Sequence, residues 1–190
     1  MQRGLSQREV VEAALDGLSR SNLSSSIILC CMRGPRREKA NLETVQLAKE
    51  YLTTHDGITA LDLAGAEGLF ATSDYRELFA LASKLDVPFT LHAGEAAGAD
   101  SVRCAIEMGA RRIGHGVRAF EDDALLSLLK ENQIPLELCP TSNRQTKVVS
   151  DMKTYPLSDF VKRELAVTLN TDNPAISSTT IANEFAYAQS

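Results

Sequence analysis

The stretch Val87-Pro88-Phe89-Thr90-Leu91-His92-Ala93-Gly94-Glu95 reads as a short buried strand that ends in reactive side chains. Its apolar half belongs in a core. Its second half places an imidazole at the strand tip, turns on two small residues and presents a carboxylic acid one short turn later. That spacing suits a metal ligand or base with a separate acid facing the same pocket. It also suits a hydrogen-bonded core histidine beside a solvated glutamate. The choice depends on whether other strands end in the same way.

Outward from this stretch the same unit recurs. Apolar runs at 27–32 and 57–63 precede it, and runs at 112–116, 134–139 and 166–170 follow it. The run at 27–32 does not alternate, which predicts a strand covered on both faces. Between the runs lie helical patterns. Ser6 and Glu9 form a capping box ahead of Val10, Val11, Ala14, Leu15 and Leu18. Asn41, Asp74 and Asp100 are predicted to open the next three helices, with Gly109 closing the last of them. Asp122 and Asp123 open another, 157–164 forms a short one, and a final helix starts near Thr179. His55 reads as a surface or helix-ending residue. Strand and helix alternate six times over short connections, which predicts parallel strands and right-handed crossovers within one α/β domain over 1–190. A doubly wound sheet would carry a Gly-rich phosphate turn, and no G-x-G-x-x-G occurs.

Bulk composition narrows the function. The 190 residues carry a net charge of −5, and basic residues gather only in the short loop 33–39, so a nucleic-acid groove is not expected. No run approaches the ~20 apolar residues of a membrane span, and the first residues lack the apolar core of a signal peptide. A cytoplasmic protein is the expectation. The four cysteines, Cys30, Cys31, Cys104 and Cys139, make no C-x-x-C pair and are expected to be buried, reduced thiols.

Polar groups collect at the strand C-termini: Gly65, His92 with Glu95, His115, and Asp172 with Asn173. In a (β/α) barrel these ends share one mouth, where side chains distant in sequence converge. Imidazole and carboxylate are good zinc ligands, and zinc lowers the pKa of bound water to about 7. His92 and Asp172 are the candidate ligands, Glu95 the proton donor, and His115 the group that orients or deprotonates water.

Residues 91–95 (L-H-A-G-E), 112–116 (R-I-G-H-G), 137–143 (E-L-C-P-T-S-N) and 170–174 (N-T-D-N-P), in this order, closely resemble the adenosine deaminase family. Residues 29–33 and 62–65 are similar to that family's third and fourth barrel strands. The resemblance covers nearly the whole chain. It implies a TIM-type (β/α)8 barrel, here incomplete, with about six βα units equivalent to strands three to eight. It implies zinc held by His92 and Asp172, Glu95 protonating N1 of the purine, and His115 orienting the attacking hydroxide and taking its proton. Gly65 would offer its backbone N–H to N3. The implied reaction converts adenosine or 2'-deoxyadenosine to inosine or 2'-deoxyinosine. The nucleic-acid-editing zinc deaminases are not resembled, since H-x-E and P-C-x-x-C are absent.

Two departures carry consequences. Asn173 stands where the family has a second Asp, facing N7; an amide can donate there without being protonated. The family's H-x-H pair, which would supply two further zinc ligands, occurs nowhere in this chain. Two ligands are too few for catalytic zinc, so the chain alone is expected to bind zinc poorly and to turn over little. Three alternatives remain: a non-enzymatic remnant or interaction subunit of the same fold, a deaminase of a related aminopurine such as adenine, and an unrelated α/β small-molecule binder. Six strands do not close a barrel, so association through open sheet edges, or with a complementing N-terminal segment, is also expected.

Overall fold

A computed structural model describes residues 4–53 and 57–189. His55, read above as a helix-ending residue, lies outside them. The described elements run α1 (Gln7–Ser19), β1 (Ile27–Met32), α2 (Glu38–Glu50), β2 (Ile58–Ala64), α3 (Arg76–Lys84), β3 (Thr90–Ala93), α4 (Ala99–Glu107), β4 (Arg112–His115), α5 (Asp123–Glu131), β5 (Leu136–Leu138), α6 (Pro140–Gln145), α7 (Leu157–Lys162), β6 (Val167–Leu169), α8 (Pro174–Ser177) and α9 (Ile181–Gln189). The strands are all parallel and lie side by side in chain order: β1 pairs with β2, and β3 to β6 pair successively. One parallel bridge, Leu61 to Phe89, and the hydrogen bond from Leu61 N to Pro88 O (2.9 Å) join the two groups. This sequential order is that of a (β/α) barrel, and the described strands form an open, incomplete one.

Helices cover the outer face. Val45 and Ala48 of α2, Phe79 and Ala82 of α3, Val102 and Ala105 of α4, and Leu125 and Leu129 of α5 are buried in one core with Leu61, Leu91, Ile113 and Leu136 from the strands. Phe79 meets Phe89 with ring centroids 4.8 Å apart. The capping box forms as read, with Ser6 N donating to Glu9 (2.7 Å) and Glu9 N to Ser6 Oγ (3.2 Å).

Several local expectations are corrected. β1 is not covered on both faces: Ile28, Cys30 and Met32 are exposed, because the open sheet leaves the inner face of its first strand to solvent. Cys30 is therefore exposed and Cys104 only half-buried, while Cys31 and Cys139 are buried; all four are free thiols. Asn41 does not cap α2, which begins at Glu38. Its buried amide instead accepts from Met32 N (2.9 Å) and donates to Met32 O (3.0 Å), pinning α2 to the end of β1. Gly98, not Asp100, is the N-cap of α4, and α3 begins after a 3-10 turn that contains Asp74. The segment after Cys139 is a helical turn, α6, started by Pro140 at a position that needs no N–H.

Candidate active site

β3 and β4 bring the two imidazoles together. In the parallel register His92 lies opposite Gly114. A Cβ on Gly114 would stand 2.9 Å from His92 Nδ1, so only glycine lets the ring lie across β4. From β2, Asp62 approaches the same nitrogen at 2.8 Å through Oδ2 and 3.1 Å through Oδ1. Donation from Nδ1–H to this carboxylate fixes the tautomer and leaves the Nε2 lone pair for the pocket. Burial opposes the charged ring, but the Asp62 hydrogen bond and the charges of Asp62, Asp172 and Glu95 outweigh it, and the His92 pKa rises above its ordinary value.

His115 ends β4 with φ 58°, a left-handed conformation that turns its side chain into the mouth. Its side chain is 2% exposed, and its ring meets that of His92 edge-on at 5.0 Å. Tyr155 donates to Asn143 Oδ1 (3.0 Å), which orients the Asn143 amide so that Nδ2 donates to His115 Nδ1 (3.0 Å). Neutral His115 then carries its hydrogen on Nε2, which lies 3.6 Å from Glu95 Oε2. Burial pushes the His115 pKa down; Glu95 pulls it up and His92 pushes it further down.

Asp172, just past β6, is likewise left-handed (φ 55°), and its Oδ2 accepts from Ser142 Oγ (2.7 Å). Two left-handed non-glycine residues in one mouth are the kind of backbone strain that clusters at functional sites. One donor atom each from His92, His115 and Asp172 lie within 4.8 Å of one another. The Nε2 lone pair of His92 and a carboxylate oxygen of Asp172, oriented from behind by Asp62 and Ser142, suit part of a zinc shell, and the Nε2–H of His115, set by Asn143, stands beside them as a donor. His92, His115, Gly114, Glu137, Asn170 and Asp172 line a hollow of about 420 Å³.

Glu95 faces a second hollow, of about 440 Å³, which it lines with Gly65, Arg118 and Lys147. Gly65 has φ 107°, and a Cβ there would crowd Arg33 at 3.3 Å. Of the six residues singled out from the sequence, His92, His115, Glu95 and Asp172 are brought together, and Gly65 lies in the adjoining hollow. Asn173 is exposed; its Oδ1 caps α8 by accepting from Ile176 N (3.1 Å), leaving Nδ2 to donate. Sequence reasoning assigned no role to Asp62, Ser142 or Asn143. They stand inside quoted motifs, but their partners lie about thirty residues away, and only the sheet brings them close.

A family model described as adenosine deaminase matches residues 1–190. The adenosine deaminase of Haemophilus ducreyi is 50% identical over 97% of this chain, and that of Enterococcus faecalis is 39% identical over 97%. In each case the chain spans 55% of the relative, about half its length. Among solved structures, the adenine deaminase from Arthrobacter aurescens superposes with a TM-score of 0.87 at 26% identity, covering 97% of this chain and 57% of the other. An amidohydrolase from Burkhoderia ambifaria, solved with bound Zn, shares the fold with a TM-score of 0.78 at 16% identity, over 95% of this chain and 50% of the other.

Proposed function

We propose, from the premise that this chain belongs to the adenosine deaminase family, that it contributes six strands of a zinc-dependent site that removes the 6-amino group of adenosine or 2'-deoxyadenosine. The observation that supports this best is the meeting of His92, His115 and Asp172 within 4.8 Å, with Glu95 beside His115. When bound, zinc would act as a Lewis acid and lower the pKa of water at the site. His92, held by Asp62, and Asp172, held by Ser142, would be its ligands from this chain. Glu95 would hand a proton to N1 of the purine and make C6 electrophilic. His115, with its hydrogen on Nε2, would orient the attacking oxygen; this is the half of its expected role that the hydrogen bonding supports. Gly65 N–H would hold N3, and the free amide of Asn173 would donate to N7. The oxygen of water forms the C6–O bond; as C6–N breaks, one of its protons leaves with the amino group as ammonia and the other restores the proton that Glu95 gave to N1, so a 6-oxopurine remains.

The partners in this reading are the purine nucleoside and a complementing segment that carries H-x-H. Neither nucleic acid nor a membrane has a part in it. No described helix is long and apolar enough to cross a membrane. A cytoplasmic location belongs to the same proposal, supported by the four free thiols. A second reading, deamination of adenine, is favoured by the likeness to the Arthrobacter aurescens adenine deaminase.

The test is zinc content and loss of adenosine absorbance on the purified chain, with and without an H-x-H segment. The expected result is weak zinc binding and negligible turnover alone, and both gained on complementation. Tight stoichiometric zinc with brisk turnover by the chain alone would overturn the shared-site reading. Adenine consumed in preference to adenosine would select the second reading.

A further inference from the structure

Glu67 lies in the loop after β2 and is 5% exposed. Its carboxylate is surrounded by donors from the turn 94–97 and from the first turn of α4. Oε1 accepts from Gly94 N (2.7 Å) and Ser101 Oγ (2.5 Å). Oε2 accepts from Glu95 N (3.0 Å), Ala96 N (2.7 Å) and Ala97 N (3.0 Å). Four successive backbone N–H groups thus converge on one buried anion at the entrance to α4, where the helix dipole also favours negative charge. Gly94 makes the turn possible: its φ is 71°, and a Cβ there would meet Val102 at 2.4 Å.

A relay of donors backs the carboxylate. Arg33 donates to Thr72 Oγ1 (3.0 Å) and to the carbonyl of His92 (2.7 Å). Because Ser101 gives its proton to Glu67, Thr72 must donate to Ser101 across their 2.7 Å contact. The relay therefore holds the His92 backbone at one end and the Glu95 backbone at the other. The sequence offered no sign of this, since a glutamate in a Gly-Ala-Glu-Gly loop reads as solvated.

We propose that Glu67 is a positioning residue: its buried carboxylate is the mould that shapes residues 94–97 and so aims the Glu95 side chain at His115. The part concerning proton transfer rests on the reading of Glu95 given above; the shaping of the loop does not. An amide cannot replace the carboxylate without loss, because both oxygens face backbone N–H groups and an NH2 group would oppose at least one of them.

The experiment is NMR on the described chain, parent against Glu67→Gln. Loss of charge-assisted bonds should speed hydrogen exchange at residues 94–97 about tenfold to a hundredfold, with core strand amides unchanged. A second readout separates aiming from general support. In the parent, Glu95→Gln should shift the His115 ring nitrogens; in the Glu67→Gln background it should not. If Glu67→Gln does not fold, Ser101→Ala removes one of the five donors, and faster exchange confined to 94–97 is expected there too. Exchange rising equally across the protein, no change at 94–97, or a His115 response to Glu95→Gln that survives Glu67→Gln would each overturn the proposal. None of these readouts depends on zinc or turnover, so the proposal and the deaminase reading can fail separately.

Discussion

Gly114 and His92 are closely paired in the mouth, and the contact yields a sharp expectation. In Gly114→Ala the new Cβ would lie 2.9 Å from His92 Nδ1 and 3.1 Å from its Cα. The ring must leave Asp62 or the strand must shift. A loss of about 1–3 kcal/mol is expected, as for other overpacked cores, and is measurable by urea unfolding. Loss of the Nδ1–H to Asp62 hydrogen bond should appear in the His92 ring nitrogen spectrum. An unshifted spectrum would contradict the account of the glycine. Asp62→Asn tests the other side of the ring: the amide can still accept from Nδ1–H but supplies no charge. Residual zinc binding by the chain should weaken by about 10–100-fold, the usual cost of losing such a partner, as read by dialysis. The site residues that were legible in the sequence are those whose type is rare at a strand end, His92, His115 and Asp172. Those that were not, Asp62, Asn143 and Glu67, have common side chains whose work depends on a partner in another βα unit.

At the scale of elements, the helices stand or fall by a few buried contacts. Phe79 of α3 is fully buried against Phe89. Phe79→Ala should cost about 3–5 kcal/mol in a denaturation experiment, because the facing ring and the strands behind it cannot collapse into the space. The Asn41 clasp is smaller and polar. Asn41→Ala would strip these partners from both Met32 N and Met32 O, at roughly 0.5–1.5 kcal/mol for each hydrogen bond lost. Hydrogen exchange should then accelerate along β1 before it does in β4 or β5; equal acceleration would show that α2 does not hold β1 through this residue. The same residue explains why strands were easier to read than helix starts. The strands announce themselves as apolar runs between helical patterns. Asn41 and Asp100 have the side chains of N-caps, but Asn41 is recruited by Met32, and α4 begins at Ala99, one residue before Asp100, with Gly98 as its N-cap. Such competition is settled by tertiary contacts that no local pattern carries.

At the scale of the whole molecule, the open barrel has two unequal edges. β6 is three residues long, and short edges pair poorly with other chains. β1 has six residues, Ile27-Ile28-Leu29-Cys30-Cys31-Met32, with no charge, and exposes Ile28 at 43% and Met32 at 40%. Natural sheets protect such an edge with lysine, proline or a covering element; no lysine or proline stands in 27–32, and the Asn41 clasp reaches only Met32 at its end. Self-association should therefore run through β1 rather than β6. Light scattering over a range of concentrations should show growing particle mass for the parent chain. Ile28→Lys should suppress that growth with little change in the unfolding midpoint, because the side chain already meets solvent. Thr168→Lys on β6 should not suppress it. If an H-x-H segment occupies the β1 edge, adding it should abolish association as Ile28→Lys does. A monomer at every concentration, or equal suppression by the two lysines, would mean that the edge of β1 is not the surface that seeks a partner.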